Sequence, residues 1–235
     1  MEDYERRALA MLFFTNKTLY QAQTSNKYRL NNFTELNESS QQRMNDISIA
    51  SLDISLQKIR HEIYTRLSVS REYVDFLSNI GYINLYDCAE IIVEVGDIGR
   101  FKNRNCFISY AGLAPVAKHN NKVYKITKHN KYKHVASKKY DDIDYCENLK
   151  VALTRCTQKM INNDDNIYKQ YYDKKFKEYH FKHPMYTKKR LHLMALKKST
   201  IKFAKEVYSN FKEIKELEDY ERLKYDNIGN IQNKR

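Results

Sequence analysis

A group of basic side chains lies between Ile98 and Tyr140, in a stretch of the sequence that contains no acidic residue. The group supplies eleven positive charges, most of the chain's formal net charge of +13. Ammonium and guanidinium groups neutralise phosphates, and the interleaved tyrosine and histidine rings can stack on unpaired bases. This combination predicts contact with nucleic acid; the alternative is a solvated basic loop whose tyrosines pack on lysine stems. The predicted contact residues are Arg100, Lys102, Arg104, Lys118, Lys122, Lys125, Lys128, Lys131, Lys133, Lys138 and Lys139.

Gly81 is a further candidate for phosphate contact. The stretch from Leu77 to Asp97 reads as a helix end, a tight turn at Gly81 and a second helix, which is typical of a helix-hairpin-helix-like element. At such a turn, backbone N–H groups that lack intrahelical partners point at a DNA phosphate. The usual second glycine is replaced by Ile83, so a plain helical corner inside the core is the alternative.

Ser137 is a weak candidate for a catalytic nucleophile. The lysines beside it could lower the pKa of its hydroxyl or neutralise a phosphate. A lone serine is more often a capping or surface residue, so the assignment of Ser137 is weak. We assign no other catalytic residue and leave enzymatic activity open.

Other reactive residues do not form a recognisable site. The cysteines Cys88, Cys106, Cys146 and Cys156 lie ten or more residues apart without a C-x-x-C pair, which favours free thiols in a reducing compartment. The segment HFKH, residues 180–183, has no cysteine nearby and suits a loop at a helix end, and aspartates 141, 142 and 144 suit turns and caps. We therefore expect no metal and no cofactor.

The elements that must position these residues are mainly helical. Residues 1–38 read as one or two short helices that end in a polar stretch. From Met44 onward, apolar residues recur at intervals of three and four, which predicts a coiled coil or a long packed helix. They are Ile49, Leu52, Leu56, Ile59, Ile63 and Leu67. This seam needs a partner, which is either residues 1–30 of the same chain or a second copy.

Helices are also expected on both sides of the basic stretch. Upstream they cover residues 71–80 and 85–95. Downstream, one covers residues 149–160, and a tyrosine-rich one follows with Asp164 as its N-cap. A last helix runs from Thr187 to about Leu217. It is expected to bury Leu193, Leu196, Phe203, Val207 and Phe211, and to expose Lys188, Lys189, Arg190, Lys197, Lys198, Lys202 and Lys205.

The basic stretch itself predicts turns and a small sheet. Gly96 suits the end of a helix, Gly99 the next turn, and Gly112 a sharp bend before Pro115. Residues 122–136 carry β-branched and aromatic residues on both sides of His129-Asn130, which predicts a small basic β-hairpin.

These elements predict a mainly α fold in three parts. Residues 1–69 form an N-terminal helical, coiled-coil-like arm. Residues 70–217 form a helical domain that contains the helix-hairpin-helix-like element and the β-hairpin, and residues 218–235 form a charged tail. No apolar stretch reaches the length of a membrane-spanning helix, so we expect a cytoplasmic protein without membrane contact.

The glycine-bearing segment resembles a known family signature. The sequence EVGDIGRFKNRNCFISYAGLAPV, Glu94 to Val116, is similar to the C-terminal transposase domain of the insertion-sequence one-ten family, whose pattern is E-[IV]-G-D-I-x-R-F followed by Y-A-G-L-x-P. Upstream, LSNIGYI is similar to the family's hairpin L-x-x-I-P-G-I-G. Downstream, ITKHN and NLKVALTRCTQKM resemble its I-S-K-R-G-N segment and its L-R-R-A-L helix. The resemblance extends over about residues 70–212.

The resemblance implies DNA transposition or site-specific recombination. In the family an N-terminal RuvC-like domain supplies metal-binding carboxylates, and the C-terminal domain supplies a nucleophilic serine and DNA contacts. This sequence lacks the carboxylate pattern, and AKHNNK, residues 117–122, stands where the serine is expected.

The sequence therefore favours a truncated or remnant DNA-binding transposase. The expected partners are DNA, a guide RNA, and a second copy of the chain through residues 49–67. The alternatives are an active serine recombinase that works with a domain in trans, and a non-enzymatic nucleic-acid-binding scaffold.

Overall fold

The computed structural model describes residues 3–32, 38–114, 116–119, 122–125, 133–134, 145–163 and 166–232. Their fold is mainly helical, as predicted. The α-helices are α1 (Asp3–Asn32), α2 (Glu38–Leu67), α3 (Leu85–Val95), α4 (Arg104–Tyr110), α5 (Glu147–Ile161), α6 (Ile167–Lys182) and α7 (Lys188–Gln232). The chain divides into two compact units, of which the first comprises Met1–Asn79 with Asn84–Val93 and the second Ile80–Ile83 with Glu94–Arg235.

In the first unit, α1 packs along α2. Leu9 and Phe13 of α1 are buried, as are Leu56, Ile63 and Leu67 of α2. The seam predicted on α2 is therefore covered from within the same chain, which is one of the two predicted alternatives. The homodimer through residues 49–67 stays a prediction.

Both helices of this unit are longer than the sequence suggested. Residues 3–32 form one continuous helix, and α2 begins at Glu38, within the stretch predicted to be a polar connection. The residues of that stretch are mostly Glu, Gln and Arg, which are good helix formers even without an apolar face. Apolar periodicity alone could not locate this helix start.

Residues 71–80 do not form the predicted α-helix. The chain instead forms a short π-helix, Glu72–Phe76, followed by a 3-10 turn, Leu77–Asn79. The Glu72 side chain is buried, where its carboxylate accepts hydrogen bonds from the Ser70 hydroxyl at 2.7 Å and from Arg6 at 2.9 Å. Burial alone would raise the pKa of Glu72, but nearby positive charge and these hydrogen bonds lower it overall. The π-helix, whose turn is wider than that of an α-helix, thus begins at a residue whose carboxylate is buried.

In the second unit, α7 packs against α4, α5 and α6 and carries the shared core. Its buried stripe advances in steps of four residues: Leu191, Ala195, Ser199, Phe203, Val207 and Phe211. The prediction that Leu193 belongs to this stripe is wrong, since Leu193 is 54% exposed. At positions 195 and 199 the buried residues are a small one, Ala195, and a polar one, Ser199. The Ser199 hydroxyl donates a hydrogen bond to the Ala195 carbonyl. The prediction placed Leu193 on the buried face because leucine is strongly hydrophobic, whereas the buried face contains the less hydrophobic residues Ala195 and Ser199.

The N-caps of α5 and α6 are set by local hydrogen bonds. The Asn166 side chain accepts hydrogen bonds from the backbone N–H groups of Tyr168 and Lys169, at 3.0 and 2.9 Å. It replaces Asp164, the predicted cap, which lies outside the described residues. At α5 the cap is Cys146, whose sulfur accepts from the Leu149 N–H at 3.3 Å.

Three short antiparallel strands lie in the basic stretch: β1 (Val116–His119), β2 (Lys122–Lys125) and β3 (Lys133–His134), in the order β1-β2-β3. Val116 pairs with Lys125, and Tyr124 pairs with His134. The predicted turn at His129-Asn130 lies outside the described residues. The basic β-hairpin therefore stays a prediction as a complete element.

None of the described helices contains an apolar segment of the length needed to cross a bilayer.

Candidate nucleic-acid interface

Asp97 holds the loop that follows α3 in place. Its carboxylate accepts a hydrogen bond from the Gly99 N–H at 2.9 Å, which caps the 3-10 turn Ile98–Arg100. The same Oδ1 atom lies 2.9 Å from Nζ of Lys215 on α7. A Cβ atom on Gly99 would lie 2.8 Å from Cε of Lys215, so the end of this flexible side chain would have to move aside. The negative charge of Asp97 is thus used to join the loop to α7.

Glu94, at the end of α3, has a similar structural role at α5. Its Oε2 atom accepts a hydrogen bond from Cys146 Sγ at 3.1 Å, and its Oε1 atom accepts one from Asn148 Nδ2 at 3.0 Å. The Cys146 N–H also donates to the Tyr110 carbonyl at 2.7 Å. A carboxylate at a helix N-terminus is favoured by the helix dipole. Glu94 therefore stabilises the start of α5.

Arg100 follows these two residues in the chain, and aromatic rings hold its guanidinium group. The guanidinium carbon is 4.6 Å from the ring centre of Phe101 and 4.5 Å from that of Tyr110. One guanidinium N–H donates to the Glu94 carbonyl at 3.3 Å. The Phe101 ring is buried and meets Phe107 edge to face at 5.3 Å. Arg100 is exposed, so its position is fixed while donors remain accessible to a ligand.

Lys102 follows on the same loop and Arg104 is the first residue of α4, and both are exposed. Between them, the Asn103 side chain caps α4 by accepting from the N–H groups of Asn105 and Cys106, both at 3.0 Å. Within the described part of the chain, Arg100, Lys102 and Arg104 form no ion pair with a carboxylate. No carboxylate of the described residues therefore neutralises their charges.

Gly112 makes the bend at the end of this segment. Its φ of +64° lies in the left-handed region, and a Cβ atom there would lie 2.6 Å from Cδ2 of Tyr145. The predicted bend at Gly112 is confirmed. Both its backbone conformation and the packed tyrosine ring favour glycine.

The family model of the transposase IS116/IS110/IS902 family matches residues 77–173. Residues 77–173 therefore carry a transposase domain of this family. The match confirms the resemblance that is based on the signature Glu94 to Val116, although it ends before residue 212. No curated protein matches the chain in sequence.

Gly81 lies near the start of the transposase domain, in an exposed turn before α3. A Cβ atom on Gly81 would meet no atom within 4 Å, and it is Tyr82 that takes a left-handed conformation, with φ of 74°. The Asn84 side chain then caps α3 by accepting from the Asp87 N–H at 2.9 Å. The helix before the turn is a π-helix with a 3-10 turn, so the helix-hairpin-helix-like element stays a prediction.

The other basic residues predicted to contact nucleic acid lie in the strands or outside the described residues. Backbone positions are described for Lys118, Lys122, Lys125 and Lys133. The side chains of these four, the residues Lys128, Lys131, Lys138 and Lys139, and the candidate nucleophile Ser137 lie outside what the structure describes.

The cysteines of the described residues form no disulfide, with Cys88 and Cys156 buried and Cys106 exposed. Burial raises the pKa of the Cys146 thiol, and its hydrogen bond to Glu94 raises it further. Among the residues that the structure describes, no cluster of three or more His, Cys, Asp or Glu could hold a metal ion.

A second acid-free stretch was missed as a candidate interface by the sequence reasoning. No acidic residue occurs from Tyr179 to Lys205, while this stretch contains eight lysines and arginines. Its signal is the same as that of the first stretch, namely uncompensated charge with interleaved aromatic and histidine rings. Helical periodicity alone assigns these cations to the exposed face of a helix.

Proposed function

We propose that the transposase domain binds DNA in transposition or recombination, and that Arg100, Lys102 and Arg104 contact its phosphates. The observation that carries this proposal is the exposed Arg100 guanidinium, held against the Phe101 and Tyr110 rings within the family signature. From the sequence alone, the other lysines between Ile98 and Tyr140 are proposed as further phosphate contacts.

The local electrostatics support this proposal. The acidic residues of the signature are Glu94 and Asp97. The Glu94 carboxylate contacts Cys146, the N-cap of α5, and the Asp97 carboxylate contacts Lys215 of α7. The positive charges on the loop are not paired in this way, and pairing with phosphates would release condensed counterions. Because stacking already orders the Arg100 side chain, binding should cost little further conformational entropy.

A guide RNA is proposed as a second polyanionic ligand of the same surface. Phosphate contacts carry no sequence information, so these three residues should bind RNA and DNA alike. The choice between them would depend on other parts of the chain.

The test is the salt dependence of binding to a DNA duplex. Replacing Arg100, Lys102 and Arg104 by alanine should weaken binding and reduce the slope of log affinity against log salt by about 2.7, since each phosphate contact contributes about 0.9. A matched control replaces the exposed residues Lys17, Lys58 and Arg222 by alanine, which removes the same charge elsewhere. The control should leave the slope unchanged.

Two results would contradict the proposal. In one, the variant at 100, 102 and 104 keeps the wild-type slope. In the other, both variants lose the same slope, which would indicate that net charge rather than this loop governs binding.

A further inference from the structure

The turn that joins α6 to α7 exposes two large apolar side chains. We define residues 181–190 as the α6–α7 tip. Phe181 is 88% exposed and Met185 is 93% exposed. Single exposed apolar residues are common, but neighbouring ones on a fixed turn frequently mark a binding surface. The tip lies beyond residue 173, where the family match ends.

Three planar groups of the tip form a stack. The His183 and Tyr186 rings are nearly parallel, with an interplanar angle of 8° and centroids 4.7 Å apart. The guanidinium carbon of Arg190 lies 3.7 Å from the centre of the Tyr186 ring. At these distances the two groups cannot share one face of the ring, so Tyr186 lies between them. The stack therefore ends in an imidazole and a guanidinium, both of which stack on nucleic-acid bases.

Hydrogen bonds fix the backbone that carries this stack. The His183 N–H donates to the Tyr179 carbonyl at 2.9 Å, and the Tyr186 N–H donates to the His183 carbonyl at 3.0 Å. The Arg190 N–H donates to the Thr187 hydroxyl at 3.3 Å, and Leu191 is fully buried at the base of the tip. The stacking groups are thus held in place before a ligand arrives, which lowers the entropic cost of binding.

The charge around the tip matches a polyanion. Lys182, Lys188, Lys189 and Arg190 are exposed, and no acidic residue lies between Tyr179 and Lys205. The nearest preceding carboxylate, that of Glu178, is paired with Lys175 at 2.7 Å. In the described residues, the four cations of the tip form no ion pair with a carboxylate.

We propose that the α6–α7 tip binds an unpaired nucleic-acid strand, whose bases stack on Phe181 and on the ends of the His183–Tyr186–Arg190 stack while the lysines contact its phosphates. An unpaired strand is favoured over a duplex because its bases present their faces to aromatic side chains. This inference rests on the proposed nucleic-acid function but places a separate site outside the loop of Arg100.

The test compares binding to oligothymidylate, oligouridylate and a DNA duplex. Two variants remove the stacking surface without removing formal charge: F181A/M185A and Y186L. The control is Y220A, which removes an aromatic ring that is 67% exposed elsewhere on α7. Circular dichroism confirms that each variant folds.

Both tip variants should bind single strands roughly 5- to 150-fold more weakly, the range for loss of one stacked base. The salt slope and the duplex affinity should stay close to those of the wild type. Ultraviolet crosslinking with 5-iodouracil in the strand should label residues 181–186 and should be lost in F181A/M185A. The arm with the larger loss, DNA or RNA, identifies the strand that the tip binds.

Three outcomes would overturn the proposal: unchanged single-strand affinity, equal losses on single strand and duplex, or loss of binding to phosphatidylserine vesicles with oligonucleotide binding intact. The last would assign the tip to a membrane surface. Failure of the proposed function is separate, because it is measured by the duplex affinity of the variant at Arg100, Lys102 and Arg104. Either result can occur without the other.

Discussion

Glu94 Oε2 lies 3.1 Å from Cys146 Sγ, although 52 residues separate the two in the chain. The contact joins the family signature to the N-cap of α5 within one hydrogen-bonded unit. The carboxylate of Glu94 thus has a structural partner. The basic side chains that follow it, Arg100, Lys102 and Arg104, are exposed.

Replacing Glu94 by alanine should lower the free energy of unfolding by about 1–3 kcal/mol, because the amide of Asn148 and the cap of α5 lose their acceptor. Glu94→Gln should cost less, since an amide oxygen can still accept one of these hydrogen bonds. Urea denaturation measures both changes. The control is Glu213→Ala, at an exposed position of α7; an equal effect at both sites would show that Glu94 does not anchor α5.

Alkylation by iodoacetamide should distinguish the cysteines. Cys106 is exposed and should react first, whereas Cys88 and Cys156 are buried. The thiolate is the reactive form, and burial together with Glu94 raises the pKa of Cys146. The rate at Cys146 should therefore rise only at higher pH than in the unfolded chain.

The matched variant for this measurement is Glu94→Gln in a Cys106→Ser background. Removing the carboxylate charge should lower the pKa of Cys146 and move its alkylation profile to lower pH. An unshifted profile would mean that the contact does not influence the thiol.

Gly112→Ala should destabilise the protein by about 2 kcal/mol or more. The left-handed conformation alone costs an alanine roughly 1–2 kcal/mol, and its Cβ would also approach the Tyr145 ring. In the background Tyr145→Ala the loss should be smaller, because only the backbone contribution remains. Gly81→Ala is the control, since nothing lies within 4 Å of its added Cβ; comparable losses at 81 and 112 would contradict this account.

The raised pKa of Tyr168 leads us to expect a loss of stability at alkaline pH. Its ring is buried and its hydroxyl donates to the Glu206 carboxylate. Burial first, and then Glu206, raise the pKa of Tyr168 above its ordinary value of 10.0. The folded state therefore keeps this proton when the unfolded chain releases it, so the free energy of unfolding should fall as the pH rises above 10.

Tyr168→Phe should remove this part of the alkaline slope and should cost about 1.5–3 kcal/mol near neutral pH, the range for a hydrogen bond to a charged group. Denaturation curves at several pH values measure both effects, with Tyr171→Phe as the control. An unchanged slope in Tyr168→Phe would show that other tyrosines cause the alkaline loss.

The sequence predicted the helices whose apolar residues recur regularly and the turns that require glycine. It placed α3 and the bend at Gly112 correctly for this reason. It failed at Glu72, where contacts of Arg6 and Ser70 with the carboxylate accompany a π-helix that no periodic pattern encodes. It also failed at Leu193, because Ala195 and Ser199 carry the buried stripe of α7 without being strongly hydrophobic.

The candidate site was only partly predictable for a similar reason. The exposed charge of Arg100 follows from an acid-free stretch, which is a property of the sequence. The contact between Glu94 and Cys146 depends on how distant segments pack, and so does the contact between Asp97 and Lys215. No local sequence pattern indicates that the carboxylates of Glu94 and Asp97 form these contacts.

The family match ends at residue 173, inside α6, and leaves out the whole of α7. Yet the ring of Phe107 lies 5.8 Å from that of Tyr208, and the ring of Tyr168 lies 5.7 Å from that of Phe203. A polypeptide cut at the edges of the match would leave these apolar surfaces facing water. We therefore expect a fragment of residues 77–173 to be less stable than one that also includes α7.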